Sequence, residues 1–168
     1  MRSRARSVVI VLAGLIACTP LRPQVSLEPG VSLKSYHVVA IGPVEDRSGY
    51  PFHYPIGDSL HVRLVDALEQ DEVPIVSTNT DTTVPVLFVV SSLDRFKNGA
   101  LNVALPSSLG TSECVFSSRL LDGHTGRRLG EIVSSEIIDP EDTPRITPQQ
   151  LLTTCTQITA DELKRRLK

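Results

Sequence analysis

Val84-Pro-Val-Leu-Phe-Val-Val-Ser-Ser-Leu-Asp-Arg-Phe96 is the stretch on which the fold turns. Val84, Val86, Phe88 and Val90 alternate with Leu87, Val89 and Leu93. That period of two belongs to a β-strand, whose successive side chains leave opposite faces. The first half is apolar on both sides, which reads as a central strand. Asp94 to Gly99 turns the chain, and Ala100–Gly110 reads as a loose apolar loop broken by Pro106.

Toward the C-terminus, Thr111–Leu121 and Arg128–Ile138 read as two strands. Asp122-Gly-His-Thr-Gly126 between them is a hairpin signal. On the first of these strands, alternation puts Cys114 on the side of Phe116 and Leu120. Asp139 to Pro144 is an acidic, proline-bounded link. Thr147 as N-cap, Pro148 at the first helical position and Gln150 closing a capping box open a last helix. Leu151, Cys155, Ile158 and Leu163 line its apolar side, and Lys164, Arg165, Arg166 and Lys168 crowd its C-terminal turn, where cations suit the dipole.

Toward the N-terminus, Ser77–Thr83 is a polar loop and Val73–Val76 a short strand, placed at an edge because Pro74 cannot donate. Ile56–Glu69 reads as a helix from Ile56, Leu60, Leu64 and Leu68, with Asp58 near its start to accept amide hydrogens or complement the dipole. Ser35–Gly42 is a β-branched strand, and the turn-rich Val44–Pro51 follows it. Tyr50, Phe52 and Tyr54 then gather aromatic side chains within five residues, in a loop that makes them a candidate partner surface. The plainer reading is that these rings cover the end of the core. The order β-α-β-β-β-β-α describes an α/β (α+β) fold, two helices packed on a mixed, largely antiparallel sheet.

Residues 1–17 read differently. Arg2, Arg4 and Arg6 precede an apolar run from Val8 to Ala17 that stops at Cys18. The pattern is that of an export signal. The run is too short to cross a bilayer, which takes ~20 apolar residues. Residues 18–34 follow as a tether rich in proline, with an edge strand in view around Val25–Leu27, and residues 35–168 form one domain. Loss of the signal removes three arginines, moving the formal charge from −2 to −5. A mildly acidic chain without a basic cluster argues against nucleic acid as a partner.

Cys114 and Cys155 remain as an even pair in an exported chain, and a disulfide between them is expected. Two buried thiols that merely fill space are the alternative. His37, His53, His61 and His124 lack ligand spacing, so no metal and no cofactor are expected. Glu45, Asp46 and Asp58 lack the periodicity of a calcium loop. Ser107 and Ser108 lie in no nucleophile motif and no glycine-rich phosphate loop occurs, so no catalytic residues are expected and the chain reads as a non-enzyme.

Leu15-Ile16-Ala17-Cys18 resembles the lipobox of bacterial lipoproteins. The resemblance implies cleavage before Cys18, a lipid on its thiol, and palmitate-type acylation of its amino group. A plain signal peptide or an uncleaved anchor is the alternative. Thr19 after the cysteine, rather than Asp, implies the periplasmic face of the outer membrane where the host has one. Val38–Gly49 with its helix, and Leu120–Gly130, resemble small envelope lipoproteins: the curli secretion channel subunit CsgG, the lipoprotein activator of penicillin-binding proteins, and LptE. That resemblance implies an interaction module that binds another envelope protein. The alternative is a carrier or assembly factor for an amphipathic ligand such as lipopolysaccharide.

Overall fold

The computed structural model describes residues 23–77, 83–99, 110–138 and 147–168. Strand β1 is Gln24–Leu27, and a 3-10 turn, Leu33–Ser35, leads into β2, Val38–Asp46. Helix α1 is Ile56–Gln70 and β3 is Ile75–Val76. Strands β4, β5 and β6 are Val86–Lys97, Ser112–Asp122 and Arg128–Ile138, and helix α2 is Pro148–Leu167. The six strands form one sheet in the order β1-β6-β5-β4-β2-β3. β2 runs parallel to both β3 and β4. The other neighbours are antiparallel. The mixed, largely antiparallel sheet with two helices is the architecture the sequence implies.

Both helices pack on the same face. Ile56, Leu60, Leu64 and Leu68 of α1 and Leu151, Leu152, Cys155 and Leu163 of α2 form one cluster with Val39, Ile41, Leu87, Val89, Leu93, Phe116, Leu120 and Ile132 of the sheet. Each buried leucine contributes about 1.5–3 kcal/mol, so this layer is the main source of stability. Glycine allows the start of α1 to approach the end of β2 closely. A Cβ on Gly57 would stand 2.3 Å from the Val44 carbonyl oxygen.

Four details differ from the sequence reading. β2 begins later and runs on through Pro43 to Asp46, where a turn is expected. Proline is tolerated because β3 pairs only with Val39 and Ala40, so Pro43 sits on what has become a free edge, at a register shift. Asp58 makes no cap: Pro55 holds that position without a side-chain hydrogen bond, leaving Asp58 in the first turn as a partner of the dipole. Ile158 is only half-buried, and the apolar stripe of α2 is instead extended by Leu152, Thr156, Thr159 and Ala160. The first half of β4 is not enclosed on both sides, since Phe88 and Val90 stay half-buried on the face without helices.

The capping box at Thr147 and Gln150 forms, with Pro148 in the first turn. The edge strand around Val25–Leu27 also forms, so the folded unit already takes in residue 24. The loop expected at Ala100–Gly110, the link at Asp139–Pro144 and most of the Ser77–Thr83 loop lie outside the described residues.

Candidate functional site

The aromatic loop is built by short-range hydrogen bonds. Asp46 Oδ1 accepts from the Ser48 amide at 2.9 Å and from its hydroxyl at 2.7 Å, and Ser48 Oγ accepts from the Tyr50 amide at 3.2 Å. Asp46 is thus occupied as a turn residue. Tyr50 meets Phe52 at a centroid distance of 4.7 Å and Phe96 edge-on at 4.9 Å, and Phe52 meets Phe96 at 5.1 Å. A register shift between Leu93 and Arg95 turns Phe96 inward to receive them. Tyr50 and Phe52 are therefore half-buried lids on the core, while Tyr54, 41% exposed, reaches solvent.

Cys114 on β5 and Cys155 on α2 meet in the core, both with no exposed surface. They stand as thiols, with Cys155 Sγ donating to the Cys114 carbonyl oxygen at 3.4 Å. The hydrogen bond with Cys114, and then burial, push the Cys155 thiol far above its ordinary pKa. Nearby, the Thr159 hydroxyl bonds both Ser134 Oγ, at 2.7 Å, and the Cys155 carbonyl, at 3.2 Å. This chain of hydroxyls ties α2 to β6.

The sheet face opposite the helices is the feature that sequence reasoning missed. Phe88, Val90, Leu121 and Val133 sit half-buried there, each next to a core residue pointing the other way. Charged and hydroxyl groups surround them. Asp94 accepts from the hydroxyls of Ser92, at 2.8 Å, and Ser117. Arg95 pairs with Glu113 at 3.0 Å, Arg128 pairs with Glu131 at 3.1 Å, and Arg119 lies opposite Glu131 in register. The signal was the helix count: two helices of 15 and 20 residues cannot cover both faces of a six-stranded sheet.

A groove of about 580 Å³ runs between α1 and the β2–β3 edge, lined by Ile41, Pro43, Asp58, His61, Val65 and Glu69 among others. His61 Nδ1 lies 2.9 Å from the Gly42 carbonyl oxygen, which assigns the histidine to a backbone contact. Glu45 is taken up by an ion pair with Arg47 at 2.5 Å. Among the described residues no three His, Cys, Asp or Glu side chains are grouped to hold a metal ion. Cys18, Ser107 and Ser108 lie outside the described residues.

The hairpin loop is tightly held. Asp122 Oδ1 accepts from the amides of His124, at 3.1 Å, and Thr125, at 2.8 Å, and from the Thr125 hydroxyl, while Oδ2 accepts from the Tyr36 hydroxyl at 2.8 Å. Led by the Thr125 amide, these donors hold the carboxyl at a pKa of about 2. Gly126, at φ +69°, completes the turn in a conformation that a side chain would strain.

No family model and no curated protein matches the sequence. Solved structures share the fold. A variant PelC dodecamer from Paraburkholderia phytofirmans superposes with a TM-score of 0.58 at 11% identity, covering 84% of this chain and 97% of that one. The hypothetical protein CT253 from Chlamydia trachomatis gives 0.54 at 9% identity, covering 77% and 97%. Protein XCC0632 from Xanthomonas campestris, of family DUF330, gives 0.50 at 15%, covering 87% and 93%. The likeness is one of fold, and it takes in nearly the whole of each crystallised chain.

Proposed function

We propose that this chain is a lipoprotein, anchored through Cys18 and facing the periplasm from the outer membrane, whose domain is a protein-interaction module and not an enzyme. The observation that carries the reading is the helix-free sheet face. Phe88, Val90, Leu121 and Val133 stand half-buried on it, Arg119 and Glu131 lie in the row between Leu121 and Val133, and Asp94, Arg95 and Arg128 lie toward its ends. An aromatic ring, aliphatic side chains and arginines on one open face are the residue types that protein interfaces favour. The carrier reading has less support. A phosphate-bearing amphiphile calls for cations, and the groove beside α1 presents Asp58 and Glu69. The likeness to CsgG, the penicillin-binding-protein activator and LptE contributes only an order of elements.

A second copy of the chain is the first partner to test, because the PelC fold crystallised as a dodecamer. A photo-crosslinking residue at Phe88, in the native host, should capture a partner, while the same residue at Thr125 on the hairpin should not. A well-expressed, membrane-bound protein that crosslinks from neither position would refute the interaction surface. Cys18→Ser should leave an unlipidated precursor. Incorporation of labelled palmitate by that variant would refute the anchor.

A further inference from the structure

We infer that the end of β6 beyond its pairing with β1, from Ser134 to Ile138 and carrying the exposed Ile137, is the corner of the domain that rests on the lipid bilayer. The inference depends on the lipid anchor at Cys18, and it fixes which part of the domain that anchor leaves against the membrane.

Chain length limits how far Cys18 stands from the sheet. Gln24 is paired with Val133, so Pro23, the first described residue, stands one step further along the β6 edge, beside Ser134. Five Cα–Cα steps separate Pro23 from Cys18. Fully extended, they span at most ~18 Å. The rest of β6, from Ser134 to Ile138, rises about 13 Å in the same direction. A tether following that edge therefore carries the lipid only about 5 Å past the end of the strand. A tether leaving sideways still keeps the bilayer surface within ~18 Å of the β1–β6 edge. The opposite edge, β3, is five strand spacings away, about 24 Å. The hairpin at Asp122–Gly126 lies at the other end of β6, some 20 Å below Ser134. With the domain standing on the end of β6 nearest the anchor, both are held away from the bilayer.

The side chains at this corner suit a lipid surface. Ile137 is 55% exposed, at the last position but one of β6. Along the same row of the open face lie Glu113 and then Lys97, paired in register with each other. An exposed isoleucine has little to gain in water. At the boundary between headgroups and acyl chains it recovers its transfer free energy, while Glu113 beside it is paired with Arg95 and Lys97, one strand further on, keeps its ammonium in the headgroup layer. The segment that reads in sequence as a spacer gives residues 24–27 to β1 and residues 33–34 to the 3-10 turn, so the span left between the sheet and Cys18 is short and the domain is held close instead of being lifted away.

The test uses the full-length lipidated protein in vesicles of phosphatidylethanolamine and phosphatidylglycerol containing brominated acyl chains. An environment-sensitive fluorophore is attached to an Ile137→Cys or a Thr125→Cys variant. Cys114 and Cys155, being fully buried, stay unlabelled in the native protein. The fluorescence from position 137 should be quenched by the brominated lipid and that from position 125 should not. A flexible insertion of about twenty residues after Thr19, spanning ~25 Å on average, should release the quenching while the protein still floats with the vesicles. Protein that floats but shows no quenching at position 137 overturns the proposed corner and leaves the anchor standing. Quenching that survives the insertion overturns the short tether as its cause. Protein that does not float overturns the anchor and the corner together.

Discussion

A bridge between Cys114 and Cys155 is expected to form in the exported protein, and its consequences follow from the packing. The pair lies 41 residues apart in sequence, joining β5 to α2. Closing a loop of that size removes entropy from the unfolded chain worth about 4 kcal/mol in the chain-entropy model. For a domain of this length that is a melting-temperature difference of roughly 8–16 °C between oxidised and reduced protein. Timing follows from burial. Both sulfurs are sealed from solvent, and the raised pKa of Cys155 suppresses the thiolate that exchange requires. The bridge must therefore form before α2 docks, with the two thiols giving two electrons and two protons to the disulfide of an exported oxidase. Protein extracted from the envelope should have an intact mass two hydrogens lower than the same sample after unfolding and reduction. Once folded, the reduced form should resist oxidants until it is unfolded. Two thiols titrated in periplasmic protein unfolded without reductant would refute the bridge. Equal melting temperatures of the two forms would refute the magnitude.

Other outcomes can be checked by denaturation. The Asp122 carboxyl has a folded pKa of about 2 against an ordinary 3.8, so its stabilisation is present above pH ~4 and is lost as the pH falls toward 2. Asp122→Asn should flatten that part of the pH–stability curve, and an unchanged curve would show that the turn does not depend on the charge. Ser134→Ala and Thr159→Val should each cost about 1–3 kcal/mol, because each leaves a buried polar partner unpaired. Removing both should cost less than the two losses added, and strict additivity in a urea double-mutant cycle would exclude the coupling. Tyr50→Ser should destabilise by about 2 kcal/mol through lost contact with Phe96 and Phe52. Tyr54→Ser should stay within about 0.5 kcal/mol. Equal losses at the two positions would contradict their different burial.

Local chemistry was readable wherever a few neighbouring residues decide the outcome. The capping box at Thr147, the hairpin at Asp122–Gly126 and the four-residue spacing of Ile56, Leu60, Leu64 and Leu68 each state their element within one or two turns of chain. The export signal and the lipobox-like Leu15–Cys18 are read by pattern alone, and they lie outside the described residues. The placement of Cys114 and Cys155 on apolar sides followed from periodicity, and so did the layer of two helices on a sheet.

What needed tertiary structure was everything set by which element covers which. Alternation shows that Phe88 and Leu87 point opposite ways, but only the placement of both helices on one side leaves Phe88 half-exposed and Leu87 sealed. Pro43 looks like the end of a strand until the shortness of β3 leaves it on a free edge. Tyr50 and Tyr54 are alike in sequence, and the bulge that turns Phe96 inward makes one a lid and leaves the other in water. An edge strand is in view around Val25–Leu27, but only the pairing of residues 24–27 with β6 shows which edge of the sheet it joins. A side chain's conformational preference and its spacing are properties of the chain. Its burial is a property of the partner that arrives from 40 or 100 residues away, and that partner is chosen only when the whole core closes.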